Sequence, residues 1–427
     1  MDLTLNGTAP NRTYIELRLV KFTAAGRGKN ETLSMKANDD GETFTVTSGR
    51  TGVRAGRNKA VSTVYPMEDW EYFYSNKVRM GYTVTKTEEL ERREIKKSGE
   101  YLSIRDPQVQ DLVSILLTAA NQVMEEQYSV TLDDISDEML SLGQNILTEL
   151  AKAGDKVSVA EFNNHLLQLW TAIPRPAKNL AKMKVSMKSE YQEKIQKEQE
   201  LLDFLVSMLR GNRSEVSGKT ILDANGLDIR PVTKDEEKML KDKMAGDRAR
   251  YLRAWKVNNR ATDAAFNAYV ANHPSCQKED GISHLFHGSG TENFWSILCT
   301  GLYLNPQGVV ISGKAFGHGL YFAPKAKKSI GYTSSMGSGW RRGNSDKAYL
   351  AVFQVATGNI YDIYRNGGSG YGNCPDNYEE LQQRQPDADC LWAYSRESCS
   401  NSYLQNDEVI VYREDQATIE YLIEFSA

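Results

Sequence analysis

Apolar residues along this chain change their spacing twice. Between residues 10 and 85 they alternate with polar ones, and "TYIELRLV" and "ETFTVTSG" carry the period of two expected of half-buried strands. "SGRTGVRAG" reads as a tight connection, and "YPMEDWEYFYSNKVRMGY" as one helix closing over a sheet. "TKTEELERREIKKSGE" has no apolar face and reads as a linker over 86–104. From 105 to 225 the period becomes helical. Val109, Leu112, Val113, Leu116, Ala120 and Val123 form one stripe. Ser158 and Glu161 make a capping box ahead of Phe162, Leu166, Leu169 and Trp170. "YQEKIQKEQELLDFLVSMLRG" ends on Gly211 as a C-terminal cap would. The pattern predicts a helical bundle.

From 226 to 427 the pattern is mixed. A charged helical stretch near 235–255 precedes short β-like runs alternating with short helices: "HLFHG", "ENFWSILCTG", "GLYFA", "PKAKKSIGYT", "AYLAVFQVATG", "EVIVYRE" and "IEYLIEF". The turn at 414–418 predicts antiparallel pairing of the last two runs, which argues against a doubly wound nucleotide fold. "GSGYG" at 368–372 has no strand before it and no helix after it, so it is a weak dinucleotide signal. The predicted class is multidomain α+β: a small β-rich domain (10–85), an all-α bundle (105–225) and a mixed, mostly antiparallel third domain (226–427).

Composition sharpens this picture. At 427 residues, 40% apolar and 25% charged, the chain reads as a soluble globular protein of two or three domains. It has no run of eighteen apolar residues, so no membrane partner is expected. The start, "MDLTLNGTAP", lacks the basic and apolar regions of a secretory signal. Five cysteines without C-x-x-C spacing argue against a disulfide framework and a zinc site. An intracellular setting is therefore expected, nuclear in a eukaryote and cytoplasmic in a bacterium. The net charge of -4 hides an asymmetry, because residues 1–60 carry ten Lys and Arg against six Asp and Glu. Arg50, Arg54, Arg57 and Lys59 cluster in a glycine-rich stretch, which reads either as a phosphate contact or as a solvated turn.

Candidate chemistry gathers in the third segment. In "HLFHGSG" (284–290) His287 ends an extended run and Gly288 follows, permitting a close approach. "FGHGLYF" delivers Tyr321 and Phe322 at a strand end, and Pro324 suits the first turn of a helix carrying Ser329 and Tyr332 on one face. Glu408 opens "EVIVY", a charge at the head of an otherwise buried run. Each residue alone has a structural reading, as a turn histidine, a core tyrosine or a strand-end glutamate. Their conjunction points to a site.

With these residues in view, "HGSGTENFWSILCTGL", "GKAFGHGLYFAPKAKKSIGYTS" and "NDEVIVY" resemble the catalytic motifs of the poly(ADP-ribose) polymerases, the His, Tyr and Glu triad falling on His287, Tyr332 and Glu408. Residues 10–85 resemble a WGR domain, with Ser48 standing where the name-giving tryptophan belongs. Residues 105–225 are similar to the helical regulatory domain of the DNA-activated members. The resemblance implies NAD+ as ADP-ribose donor, held by His287, Gly288, Ser289, Asn293, Tyr321, Phe322, Ser329 and Tyr332, with no metal. Tyr321 and Tyr332 would sandwich the nicotinamide, and a side chain at 288 would block that ring. The family usually has an arginine where this chain has Tyr303 and an aromatic where it has Lys314. The stretch 363–405, rich in Gly, Asn, Asp, Gln and Ser, reads as a variable acceptor-facing loop.

The function implied is transfer of ADP-ribose from NAD+ to protein acceptors, the chain itself included, with elongation of polymers, activated by DNA strand breaks bound through Arg50, Arg54, Arg57 or Lys59. Mono-ADP-ribosylation by the same fold and a non-catalytic DNA-binding scaffold are the alternatives. A toxin-like transferase would need an Arg, a Ser-Thr-Ser strand and a Glu-x-Glu pair, which "YTSS" does not supply.

Overall fold

The structure, a computed structural model, describes residues 14–21, 31–38, 40, 42–50, 61–80, 82–89, 101–128, 130, 132, 135–175, 183–211, 219–304, 316–333, 346–362 and 374–426. They group into two compact units, one drawn from residues up to 97 together with 122–202, the other from 98–121 and 203–427.

In the first unit β1 (Tyr14–Lys21), β2 (Glu31–Ala37), β3 (Thr43–Arg50), β4 (Val61–Pro66) and β5 (Thr83–Glu89) form an antiparallel sheet in the order β4-β3-β2-β1-β5. Helix α1 (Trp70–Arg79) lays Trp70 edge-on to Phe44, with ring centroids 4.9 Å apart. Leu33, Met35, Val46 and Tyr82 complete that core. Residues 86–89, read above as linker, continue β5 instead. Thr83, Val84, Thr85 and Thr87 give the stretch β-branched propensity, and Glu89 pairs with Tyr14. Arg50 ends β3, while Arg54, Arg57 and Lys59 lie outside the described residues.

Four long helices follow: α2 (Pro107–Gln127), α3 (Asp137–Ala153), α4 (Val159–Ala172) and α5 (Tyr191–Gly211). The capping box of Ser158 and Glu161 is present on α4. Helix α3 escaped the sequence reading, although Ser136 caps it and Met139, Ile146, Leu147 and Leu150 are buried at helical spacing. Gly211 is the last residue of α5, so its capping role falls outside the described residues. Buried Arg175 bonds Glu198 at 2.5 Å and the Gln127 carbonyl at 3.1 Å. Burial alone would raise the Glu198 carboxyl, but the charges of Arg175 and Lys194 outweigh it and hold it at about 2.

The second unit continues with α6 (Ile221–Ala224), β6 (Leu227–Pro231), α7 (Lys234–Met244), β7 (Tyr251–Asn259), α8 (Arg260–Asn272), β8 (Ile282–Gly288), α9 (Phe294–Thr300), β9 (Leu320–Phe322), α10 (Ala326–Ile330), β10 (Lys347–Ala356), β11 (Ile360–Asp362), α11 (Tyr378–Arg384), β12 (Cys390–Ala393), β13 (Glu408–Val411) and β14 (Ala417–Ser426). One sheet runs β6-β7-β14-β10-β8, antiparallel throughout. The other runs β11-β12-β13-β9, with only β11 and β12 parallel. The fold is thus α+β with antiparallel sheets.

Three expectations are corrected here. The helix expected near 235–255 stops at Met244. Ala245 takes a φ of 48°, and the chain then becomes β7, where Tyr251, Ala254, Trp255 and Val257 are buried. Strands β13 and β14 do not pair. A short 3-10 turn at 414–416 carries the chain from one sheet to the other, and the Gln416 amide anchors it by donating to the Asp389 carbonyl at 2.7 Å. Much of the expected loop at 363–405 is ordered, with residues 374–405 contributing α11 and β12. Leu381 and Ala388 are buried singly among polar residues, and Cys390–Ala393 is a short buried run set in polar sequence, so composition concealed them. The glycine cluster at 368–372 lies outside the described residues.

The core follows from the centre of the larger sheet. Strand β14 is buried from Ala417 to Phe425. On one face Phe286, Leu350, Val352, Ile423 and Phe425 meet Leu240 and Met244 of α7 and Ala326 and Ile330 of α10. Each large side chain so buried contributes about 1.5–3 kcal/mol. That packing fixes α10 against the end of β8.

Candidate active site

Strand β8 is the edge of its sheet. On its inner side His287 pairs with Ala351 and Gly288 with Leu350. On its outer side Phe286 exchanges both backbone hydrogen bonds with Ala323, at 2.8 and 2.9 Å. Antiparallel alternation then directs the N–H and C=O of Gly288 to that same outer side. An edge with one donor and one acceptor side by side matches a primary amide.

Alternation also puts Leu285 and His287 on one face and Phe286 on the other. The His287 imidazole lies among Phe322 and Phe353, with ring centroids 5.8 and 5.9 Å away. Its Nδ1 is 2.9 Å from the Tyr321 carbonyl. A carbonyl only accepts, so Nδ1 carries a proton. Phe322, expected among the NAD+ contacts, is 3% exposed and is spent on this packing behind the histidine.

Gly288 has a steric reason that differs from the expected one. A Cβ there would lie 1.8 Å from the Ser329 carbonyl oxygen, so the strand and α10 meet backbone to backbone. The Ser329 hydroxyl, buried on the same helix, donates to the Phe286 carbonyl at 3.0 Å. Tyr332 follows the helix rather than lying within it. Helix α10 ends at Ile330, the chain tightens so that Tyr332 N–H bonds the Ser329 carbonyl at 3.1 Å, and the Tyr332 ring is 59% exposed. Pro324 likewise lies before the cap residue Lys325 rather than inside the helix.

Tyr321 sits in β9 with its hydroxyl donating to the Gly317 carbonyl at 2.8 Å and accepting from Phe316 N–H at 3.0 Å. Burial pushes this phenol far up, so it stays protonated. Glu408 heads β13, opposite Ala393, and is 7% exposed. Its carboxylate receives Lys328 Nζ at 2.8 Å, and the same ammonium lies 5.3 Å from the Tyr332 ring centroid. Burial alone would lower the Lys328 ammonium, but the hydrogen bond and charge of Glu408 outweigh it and leave it raised. Ser289 and Asn293 are bonded to each other, the amide donating to the hydroxyl at 2.9 Å.

Of the expected triad, Glu408 meets α10 through Lys328 and Tyr332 follows its end, while His287 lies on β8, whose neighbouring residues Phe286 and Gly288 meet Ser329 of α10. Lys328 was missed in the sequence, where it is one of three lysines in "PKAKK", although its place just before Ser329 and four before Tyr332 was a usable signal. Lys314 lies outside the described residues.

Residues 232–427 match the family model for the poly(ADP-ribose) polymerase catalytic domain. The chain is 32% identical over 173 residues to a poly(ADP-ribose) polymerase-like protein of invertebrate iridescent virus 6, covering 40% of this chain and 84% of that protein. It is 26% identical over 334 residues to poly(ADP-ribose) polymerase 1 of Gallus gallus, 70% of this chain but 30% of that one. It is also 28% identical over 156 residues to the human protein mono-ADP-ribosyltransferase PARP4, 35% of this chain and 8% of that one. The matched domain is an NAD+-dependent ADP-ribosyltransferase. The chain belongs to the poly(ADP-ribose) polymerase family.

Proposed function

We propose that this chain cleaves NAD+ at the nicotinamide bond and builds ADP-ribose polymers on protein acceptors, itself among them, when DNA strand breaks engage its amino-terminal sheet. The observation that carries the reading is the Glu408 carboxylate held by Lys328 beside Tyr332, with the outward amide edge of Gly288 across α10.

Gly288 N–H and C=O bind the carboxamide, and the Ser329 hydroxyl adds a third contact. Tyr321 and Tyr332 stack on the pyridinium, each ring worth about 1 kcal/mol beyond burial. His287 Nε2 accepts a ribose hydroxyl. Breaking the glycosidic bond leaves an oxocarbenium-like sugar, which the Glu408 carboxylate favours electrostatically. The same carboxylate then polarises an acceptor hydroxyl as nicotinamide departs. In the family a glutamate at this place accompanies chain elongation, which supports polymer over monomer.

Residues 10–85 are assigned the WGR-like, DNA-contacting role, with Arg50, Arg54, Arg57 and Lys59 on phosphates. Binding of that kind weakens steeply with salt. The helical stretch 105–225 is assigned the regulatory role, blocking the donor pocket until DNA is bound. The test is incubation of the full chain with adenylate-labelled NAD+, with and without nicked duplex. A labelled smear that requires the duplex is expected. A single labelled band identifies a mono-transferase, and no label with DNA binding intact leaves only a scaffold.

A further inference from the structure

Strand β13 carries Glu408 at its head, and Tyr412 follows directly at its foot. Pairing sets Ile410 opposite Tyr321 and Val411 opposite Leu320. Tyr412, next in line, lies against Gly319, where a Cβ would come 3.2 Å from its Cε1 and 2.2 Å from Ile410 Cγ2. Residues two apart along a strand share a face, so the rings of Tyr321 and Tyr412 stand on the same side of the smaller sheet. Both pack in one core with Phe316, Leu391 and Ile410.

Both hydroxyls reach residues 316 and 317. That of Tyr321 accepts from Phe316 N–H and donates to the Gly317 carbonyl. That of buried Tyr412 donates to the Phe316 carbonyl at 2.7 Å and, more weakly, to the Pro375 carbonyl at 3.1 Å. Phe316 is thus held through its N–H by one phenol and through its C=O by the other. The far side of this bracket is closed as well. Gly317 takes a φ of 79°, and a Cβ on it would lie 2.5 Å from the Pro375 carbonyl oxygen. His318 N–H donates to the Asp376 carbonyl at 2.8 Å, and its Nδ1 lies 2.9 Å from the Asp376 carboxylate. A buried carbonyl stripped of its donor costs more than the bond itself contributes, so the Tyr412 hydroxyl fixes where the bracket sits.

We propose that Tyr412 is a positioning residue for the transfer reaction: through the 316–317 backbone it sets the place of the Tyr321 ring, and with it the affinity for the nicotinamide half of NAD+. The inference rests on the stacking role given above to Tyr321. Strand β9 holds the Tyr321 Cβ and the bracket holds its hydroxyl, so both ends of the ring's long axis are fixed and the ring cannot swing about χ1. Moving the bracket moves the stacking face. Tyr412 acts through its neighbour, while the carboxylate that meets the ribose stands at the other end of the same strand.

The experiment compares the full chain with Tyr412→Phe, Tyr321→Phe and the double variant, measuring nicotinamide release from NAD+ and inhibition by nicotinamide and by ADP-ribose. For Tyr412→Phe, one buried hydrogen bond sets a rise of about two- to tenfold in KM for NAD+ and in the nicotinamide inhibition constant, with kcat and ADP-ribose inhibition unchanged. The double variant should lose no more than Tyr321→Phe alone, because that change already cuts the link. Equal weakening of nicotinamide and ADP-ribose, or a lower melting temperature with both constants unchanged, overturns the proposal by making Tyr412 merely structural. Additive losses overturn it too, since the phenols then act apart, as does a fall in kcat at constant KM, which moves the role to Glu408. If Tyr412→Phe does not fold, His318→Ala loosens the same bracket from its outer side and decides by the same selective pattern. An active chain without that selectivity refutes the positioning role alone, whereas a wild-type chain that releases no nicotinamide under any condition refutes the enzymatic reading itself.

Discussion

On one side of α10, Gly288 and Ser329 meet backbone to backbone. On the other, Glu408 and Lys328 are joined by one ion pair between side chains. The first contact has no rotatable bond with which to yield, so the site presents its amide edge at a fixed distance from the serine. The second can open and close by rotation, which the proposed function uses by exchanging the lysine for a developing positive charge on substrate. In the function proposed above, recognition of the leaving group falls to the backbone contact and the chemistry to side chains that can rotate.

Mutations can break that contrast. Gly288→Ala has the largest expected effect. Its Cβ has only backbone to displace, so nicotinamide release should fall to background and the melting temperature should drop, with overpacking costing about 1–3 kcal/mol. Ordinary turnover there would show that the two backbones part freely. Glu408→Gln should slow single-turnover nicotinamide release about 10²–10³-fold while NAD+ affinity is kept, and should shorten any polymer. Unaltered chain length would remove the role given to Glu408. Lys328→Met should cost about ten- to hundredfold in kcat, the value of one charged hydrogen bond, with partial recovery in Lys328→Arg. Because the Lys328 ammonium is held above its ordinary value, its contribution is present at neutral pH and is lost only as pH rises through that raised value. The wild-type and Lys328→Met rate profiles should therefore run parallel between about pH 6 and 9. Ser329→Ala should have the smallest effect, a rise of about fivefold in KM with kcat kept, as expected for one neutral hydrogen bond.

The expected site residues were legible because each sits in a short motif where one residue breaks a local rule: a histidine ending a strand, a glycine after it, a glutamate heading a buried run. Lys328 broke no such rule, since a lysine on a short helix is ordinary until its partner is known. Partners across sheets were equally hidden. The spacing of "EVIVY" and "IEYLIEF" shows two strands but not that a three-residue turn sends them to different sheets. Helix α3 had its stripe and its cap in plain order and went unread beside stronger neighbours. The stretch at 374–405 hid a strand because its one apolar run, 390–393, is only four residues long and set in polar sequence, and pairing with β13 completes it.

Strand β14 lies in the middle of the larger sheet, between β7 and β10, yet follows every other strand of that sheet in the chain. While the protein is being synthesised, β6 with β7 and β10 with β8 can form only as separate ribbons, each with an open apolar border. Residues 417–426 bridge the two ribbons, so the shared core that fixes α10 against β8 is completed only when that strand joins them.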